Sequence, residues 1–162
     1  MPIIPLKEKK KARAEVYYGE EICREKTVSL LTEMGLPNWL LPSFEGINEF
    51  GYVNDTGFVW LKQKQKTEHK IDEVEGKVVI YDAEITGYVE RKRIKKLTGV
   101  KAKELFIWIT LSEIRVDGDD SRPSTATITF KTPSGLSRSF AISADDEPIQ
   151  SQPTLIEPLC LN

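Results

Sequence analysis

The stretch Phe50-Gly51-Tyr52-Val53-Asn54-Asp55-Thr56-Gly57-Phe58-Val59-Trp60-Leu61 decides the fold class. Two runs rich in aromatic and β-branched residues flank Asn54-Asp55-Thr56-Gly57, a polar turn with glycine at the position that needs a left-handed backbone. The segment reads as a β-hairpin. Downstream, the same period of two recurs. Val79, Tyr81, Ala83, Ile85 and Val89 alternate with Asp82, Glu84 and Thr86, which describes a strand with one buried face. Ala126, Ile128 and Phe130 alternate with threonines, and Pro133-Ser134-Gly135 turns the chain back into Leu136, Arg138, Phe140 and Ile142. Leu105-Phe106-Ile107-Trp108-Ile109 is apolar at every position, the pattern of a central strand covered on both faces and the expected heart of the core. Asp117-Gly118-Asp119-Asp120 and the residues after it read as a loop.

Upstream of the hairpin the period is helical. Between Tyr18 and Met34, the residues Ile22, Thr27, Leu30, Leu31 and Met34 share a face, and Glu20 and Glu21 suit the positive end of a helix dipole. Gly35 can supply a left-handed cap, and Pro37 forbids continuation. Leu36, Trp39, Leu40 and Leu41, broken up by prolines, are expected to pack as a lid on one end of the core. The resulting expectation is a mainly β fold. It is an antiparallel meander that closes into a β-barrel, with a β-sandwich as the alternative, behind one N-terminal amphipathic helix. In domain terms, residues 1–10 read as a flexible basic arm, 11–144 as a single domain and 145–162 as a disordered Pro-rich tail.

A chain of 162 residues with 40% hydrophobic and 30% charged side chains is long enough for one core without staples. Its N-terminus runs apolar then basic, the reverse of a secretory signal, which makes a cytoplasmic address the expectation, with peripheral membrane contact allowed. Cys23, in a helical segment, and Cys160, in a polar tail, are not expected to pair as a structural disulfide. The net charge of −2 conceals a basic middle: residues 60–103 carry 12 cationic and 7 anionic side chains. Such asymmetry describes what a surface attracts, not how a chain folds.

Four ordered motifs resemble the plant family labelled domain of unknown function 538. They are Gly35-Leu36-Pro37 with Leu40-Leu41-Pro42, Thr56-Gly57-Phe58-Val59-Trp60-Leu61-Lys62-Gln63-Lys64, Leu97-Thr98-Gly99-Val100-Lys101-Ala102-Lys103-Glu104-Leu105, and Gly135-Leu136-Ser137-Arg138-Ser139-Phe140. The resemblance spans about residues 11–147. It implies a plant source, a β-barrel with an N-terminal helix, and links to stress responses and to development, including trichome growth. It carries no active site to transfer. The chain departs from the family pattern at Trp39, where glycine is usual, and at Ala141 and Asp145, where proline and an apolar residue are usual.

No catalytic residue stands out. A Ser-His-Asp arrangement would have to use His69, the single histidine, which lies in the charged run Gln65-Lys66-Thr67-Glu68-His69-Lys70. Gly135-Leu136-Ser137 lacks the second glycine of a nucleophile elbow. Asp117, Asp119 and Asp120 lack calcium-loop spacing, and there is no His and Cys cluster for zinc, so neither a metal nor a cofactor is expected. The informative stretch is Phe58 to Lys66. If it stays extended, Phe58, Trp60, Lys62, Lys64 and Lys66 share one face, and Arg91, Lys92, Arg93, Lys95 and Lys96 add a second basic cluster. Lysines on an edge strand also serve simply to block aggregation, and a charged turn is usually just solvated.

The expected function is therefore non-enzymatic binding of an amphipathic or anionic ligand, such as an acidic phospholipid or a phosphoinositide headgroup. An apolar mouth near Trp39, Trp60 and Trp108 would carry a basic rim of Lys62, Lys64, Lys66 and Arg91 to Lys96. Each lysine at an anionic bilayer contributes about 1 kcal/mol. Nucleic acid is not expected as a partner, since no binding motif is present, and a monomer is favoured. The alternatives are an esterase-like hydrolase using Ser137 with His69, and a protein-interaction module acting through the helix or the acidic tail.

Overall fold

The computed structural model describes residues 14–40, 46–119 and 122–142. The arm, the tail with Cys160, and Leu41 and Pro42 of the expected lid lie outside these residues. The elements in chain order are β1 (Glu15–Tyr18), α1 (Glu20–Glu33), β2 (Ile47–Val53), β3 (Phe58–Gln63), β4 (Thr67–Ile71), β5 (Lys77–Glu90), β6 (Arg93–Glu104), β7 (Ile107–Thr110), β8 (Glu113–Asp119), β9 (Arg122–Lys131) and β10 (Ser137–Ala141). Short 3-10 turns occupy Asn38–Leu40 and Asp72–Val74.

All strands belong to one antiparallel sheet ordered β1-β2-β3-β5-β6-β8-β9-β10, with β4 on β5 and β7 on β6. The chain is thus mainly β with one helix, and the strand order is a meander. No pairing joins β1 to β10 among the described residues. The sheet nevertheless coils around a common interior: Leu30 and Leu31 of α1, Phe50 of β2, Ile114 of β8, Ile128 of β9 and Phe140 of β10 belong to one buried cluster. At its centre is an apolar space of only about 90 Å³.

The coiling has a local cause. Strands β3 and β4 run in line along β5, but five residues separate Lys62 from Thr67 while three separate their partners Glu84 and Tyr81. Two extra residues must bulge out. The buried Gln63 holds that bulge, donating from Nε2 to the Tyr81 and Asp82 carbonyls at 3.1 and 2.9 Å. A second irregularity sits opposite. Six residues separate Lys95 from Lys101 on β6, whereas three separate Glu113 of β8 from Thr110 of β7. Lys96 and Gly99 turn the excess through positive φ of 52° and 84°. Bulges of this kind bend a sheet and increase its twist.

Helix α1 ends as the sequence requires. Gly35 has φ of 73°, its N–H donates to the Thr32 carbonyl at 3.1 Å, and the Leu36 N–H donates to the Leu31 carbonyl at 2.8 Å. These two bonds are the Schellman pattern, and Leu31 and Leu36, the pair that such a motif brings together, are both buried in the main core. Leu36 and Leu40 are buried in the main core and Trp39 packs partly buried against that core, as a lid should. Cys23 is buried within the helix face and is a free thiol.

Two expectations are corrected. Leu105-Phe106-Ile107-Trp108 is not the core: these side chains are 83, 95, 62 and 39% exposed. The reason is positional. Among the described residues, strand β7 pairs only with β6, and β9, which would lie beyond it, pairs instead with the in-line β8 and turns away after Lys131. The charged run around His69 forms strand β4, whose buried residue is Ile71. Finally, β8 runs through Asp119 and β9 begins at Arg122, so the acidic segment is mostly strand.

Candidate functional site

The in-line arrangement of β7 and β8 leaves the β6–β7 hairpin projecting past the end of β9. Beneath its inner face opens a cleft of about 430 Å³, bounded on the far side by the turn between β9 and β10. Its construction follows from register. Val79, Ala102 and Ile109 are cross-strand neighbours on β5, β6 and β7, so their side chains share one face and form an apolar row. Ala102 is the small member, and the space above it is the cleft. Phe130, Phe140 and Leu111 complete the apolar floor.

Two residues closer to the hairpin tip the row becomes charged. Lys77 Nζ lies 3.2 Å from Glu104 Oε2, and Arg138 Nη1 of β10 lies 2.7 Å from Glu104 Oε1. Both cations also stand over the Phe140 ring, Lys77 at 5.7 Å and Arg138 at 5.3 Å from its centroid. Burial pushes the Glu104 carboxyl up, and the two cations more than offset that, holding it below the ordinary carboxylate range. Two positive charges share one carboxylate, so the wall of an otherwise apolar cleft carries a net charge of +1. The mouth is rimmed by Leu105 and by Leu136, which is 69% exposed.

The residues singled out from the sequence are distributed elsewhere. Trp60 is 1% exposed and donates from Nε1 to Glu49 Oε2 at 2.6 Å. It belongs to a small cluster with Val53 and Phe58, apart from the main core. Lys62 meets Glu49 at 3.9 Å, Lys64 is exposed, and Lys66 reaches Asp82 at 3.9 Å. Because β3 ends at Gln63 and the bulge follows, the three lysines do not share one strand face.

The second cluster serves the helix and neighbouring carboxylates. The Lys92 N–H donates to the Met34 carbonyl at 2.6 Å, and Arg91 Nη1 to that of Glu33 at 3.4 Å, which brings positive charge to the negative end of α1. Arg93 pairs with Glu113 at 2.9 Å, Lys95 with Glu90 at 2.8 Å, and Lys96 stands 5.6 Å over Tyr88. The clusters flank β5 on opposite edges, Lys62 opposite Glu84 and Lys95 opposite Tyr88, four positions or about 13 Å further along the strand, so they do not converge on one rim.

Of the expected set, only Trp108 lies beside the cleft. It stands on the outer face of β7, with the Lys103 ammonium 5.9 Å over its ring. His69 on β4 and Ser137 on β10 share no hydrogen bond among the described residues. Sequence reading missed Lys77, Glu104 and Arg138. The signal available for them was slight: a lysine, a glutamate and an arginine at strand ends, 27 and 34 residues apart along the chain.

With this geometry in place, the comparison with known families has a definite outcome. The family described as "Protein of unknown function, DUF538" matches residues 27–144, close to three quarters of the chain, and the chain belongs to it. No curated protein and no solved structure matches.

Proposed function

We propose that this DUF538 protein is a non-enzymatic binding module for an amphipathic molecule with an anionic head, the class that includes acidic phospholipids and phosphoinositides. The observation that carries the reading is the charge pattern of the cleft: a row of apolar side chains ending in a triad with one cation in excess. An apolar tail would lie over Ala102, and the head would approach Lys77 and Arg138. The volume of about 430 Å³ falls within the range of roughly 300–1,000 Å³ usual for small-molecule sites. The interior space of about 90 Å³, by contrast, has no room for such a tail.

Oleate and oleyl alcohol, identical in their chains and different in head charge, are suitable probes. Isothermal titration should find oleate bound about tenfold more tightly than the alcohol, one charge-assisted hydrogen bond being worth roughly 1.5–3 kcal/mol. Arg138→Met should remove that preference while leaving the alcohol's affinity unchanged. Ala102→Phe, which fills the cleft, should abolish binding of both. Equal affinity for both probes in the unmodified protein, or oleate binding unaffected by Ala102→Phe, would refute the proposal.

A further inference from the structure

The turn between β6 and β7 is built against the usual rules. Glu104 pairs with Ile107, so Leu105 and Phe106 alone make the turn, and Leu105 adopts φ of 57°. Turns of this length normally place glycine or asparagine at positive φ, because a larger L-residue is strained there. Here the strained position carries a leucine, and the neighbouring phenylalanine is 95% exposed. Ile107 at 62% and Leu136 at 69% extend the apolar surface across both lips of the cleft. A conformation that costs free energy in order to show two large apolar side chains to water calls for something that covers them.

Charge indicates what does. Lys101 and Lys103 lie on the outer face of the hairpin, and Lys77 and Arg138 on its inner side, where both pair with the Glu104 carboxylate. A second copy docking tip to tip would bring two such positive collars together, which like charges oppose. A bilayer containing anionic lipid accepts both features: the apolar tip enters the acyl boundary and the cations remain at the headgroups. Lys103 is two residues below Leu105, about 7 Å along the strand, which matches the roughly 5–10 Å to which interfacial apolar side chains enter. Trp108, apolar in body and polar at its N–H, has the chemistry of the intervening zone.

The geometry points to Leu105, Phe106, Ile107 and Leu136 as a membrane-docking tip that sets the mouth of the cleft against an anionic bilayer. This inference rests on the binding reading above in one respect only, that docking would load the cleft from the membrane. The tip itself can be tested without any cleft ligand.

Co-sedimentation with vesicles of phosphatidylcholine, with and without phosphatidylserine, provides the test, using the full chain. The unmodified protein should bind the phosphatidylserine vesicles, and Phe106→Ser with Ile107→Ser should weaken that binding about tenfold or more. Lys101→Glu with Lys103→Glu should lower binding to phosphatidylserine vesicles selectively. Lys62→Glu with Lys64→Glu, remote from the tip, should change it least. Oleate binding measured without vesicles should be unchanged in Phe106→Ser alone, a position that does not line the cleft, which separates the two proposals: docking that persists in a protein unable to bind oleate supports the tip and overturns only the cleft. Vesicle binding that is equal in the unmodified protein and the tip variant would overturn the inference. So would a protein that ignores vesicles but forms a dimer which the tip variant dissociates, since that would assign the tip to a second copy.

Discussion

The hairpins β2–β3 and β6–β7 are made of similar residues and have opposite fates. Each carries a tryptophan, a phenylalanine and β-branched neighbours. In the first, Phe58 and Trp60 are buried and the indole N–H is satisfied by Glu49. In the second, Leu105 to Trp108 face water. The difference lies in their neighbours and not in the residues themselves: β3 has β2 on one edge and β5 on the other, whereas among the described residues β7 has β6 alone. Their turns differ in the same sense. Gly57, at φ of 81°, sits where an added Cβ would lie 2.5 Å from the Val89 carbonyl oxygen, so the first turn is held against the sheet. Among the described residues the Leu105-Phe106 turn stands exposed, Leu105 at 83% and Phe106 at 95%, and it projects.

The most severe way to break the comparison is to expel Trp60 from its place. Gly51 lies directly across from Trp60, and a Cβ there would come within 2.1 Å of the indole Cζ2, a rigid ring with no room to retreat. Gly51→Ala should therefore cost about 3 kcal/mol, the upper end of ordinary overpacking penalties, read as a lower urea midpoint at unchanged m-value. The tryptophan emission should shift to the red as the indole meets water. A variant of unchanged stability would mean that Trp60 is not wedged between the strands.

How far the sequence discloses this contrast depends on the distance over which each feature is specified. Alternation around Asn54 to Gly57 makes the β2–β3 hairpin plain, and Gly35 with Pro37 sets the end of α1, because both are settled within a few residues. The exposure of Leu105 to Trp108 is decided by where β9 leaves β8, some twenty positions away, and an apolar run reads the same whether a neighbour covers it or not. The lysine ladder failed for a related reason. Alternation from Trp60 to Lys66 assumes an unbroken strand, and only the Gln63 side chain, bonded to carbonyls of β5, marks the bulge that interrupts it. The cleft was the least legible feature. Lys77, Glu104 and Arg138 are ordinary strand-end charges until the sheet coils and sets them side by side.

A milder change sharpens the comparison from the other hairpin. Leu105→Gly removes the cost of a left-handed leucine, about 1–2 kcal/mol, and adds back up to about 1 kcal/mol of backbone freedom in the unfolded chain. Since Leu105 is 83% exposed, little packing is lost with it. The expected balance is a gain of up to about 1 kcal/mol, visible as a rise in Tm of roughly 2–4 °C. Glycine in the β2–β3 turn is needed for folding, whereas leucine in the β6–β7 turn is tolerated against folding. Destabilisation by Leu105→Gly would show that the leucine is held by contacts within the protein and remove the argument from strain.

The smallest expected effect is the most discriminating. Phe106 is 95% exposed, so Phe106→Ser gives up almost no buried surface and should leave stability within about 0.5 kcal/mol of the unmodified protein. The same truncation at Phe58, which is 6% exposed and packs in tilted geometry against Trp60 and Tyr88 at centroid distances of 5.9 and 5.2 Å, would fall in the range of buried aromatic losses, about 3–5 kcal/mol. Thermal unfolding of the two variants side by side measures the asymmetry directly. A loss of more than about 1 kcal/mol at Phe106 would place that ring against some part of the protein and end its availability to a bilayer. If stability is unchanged, any deficit of the Phe106 variant at a membrane must come from the tip itself and not from a fold that has loosened.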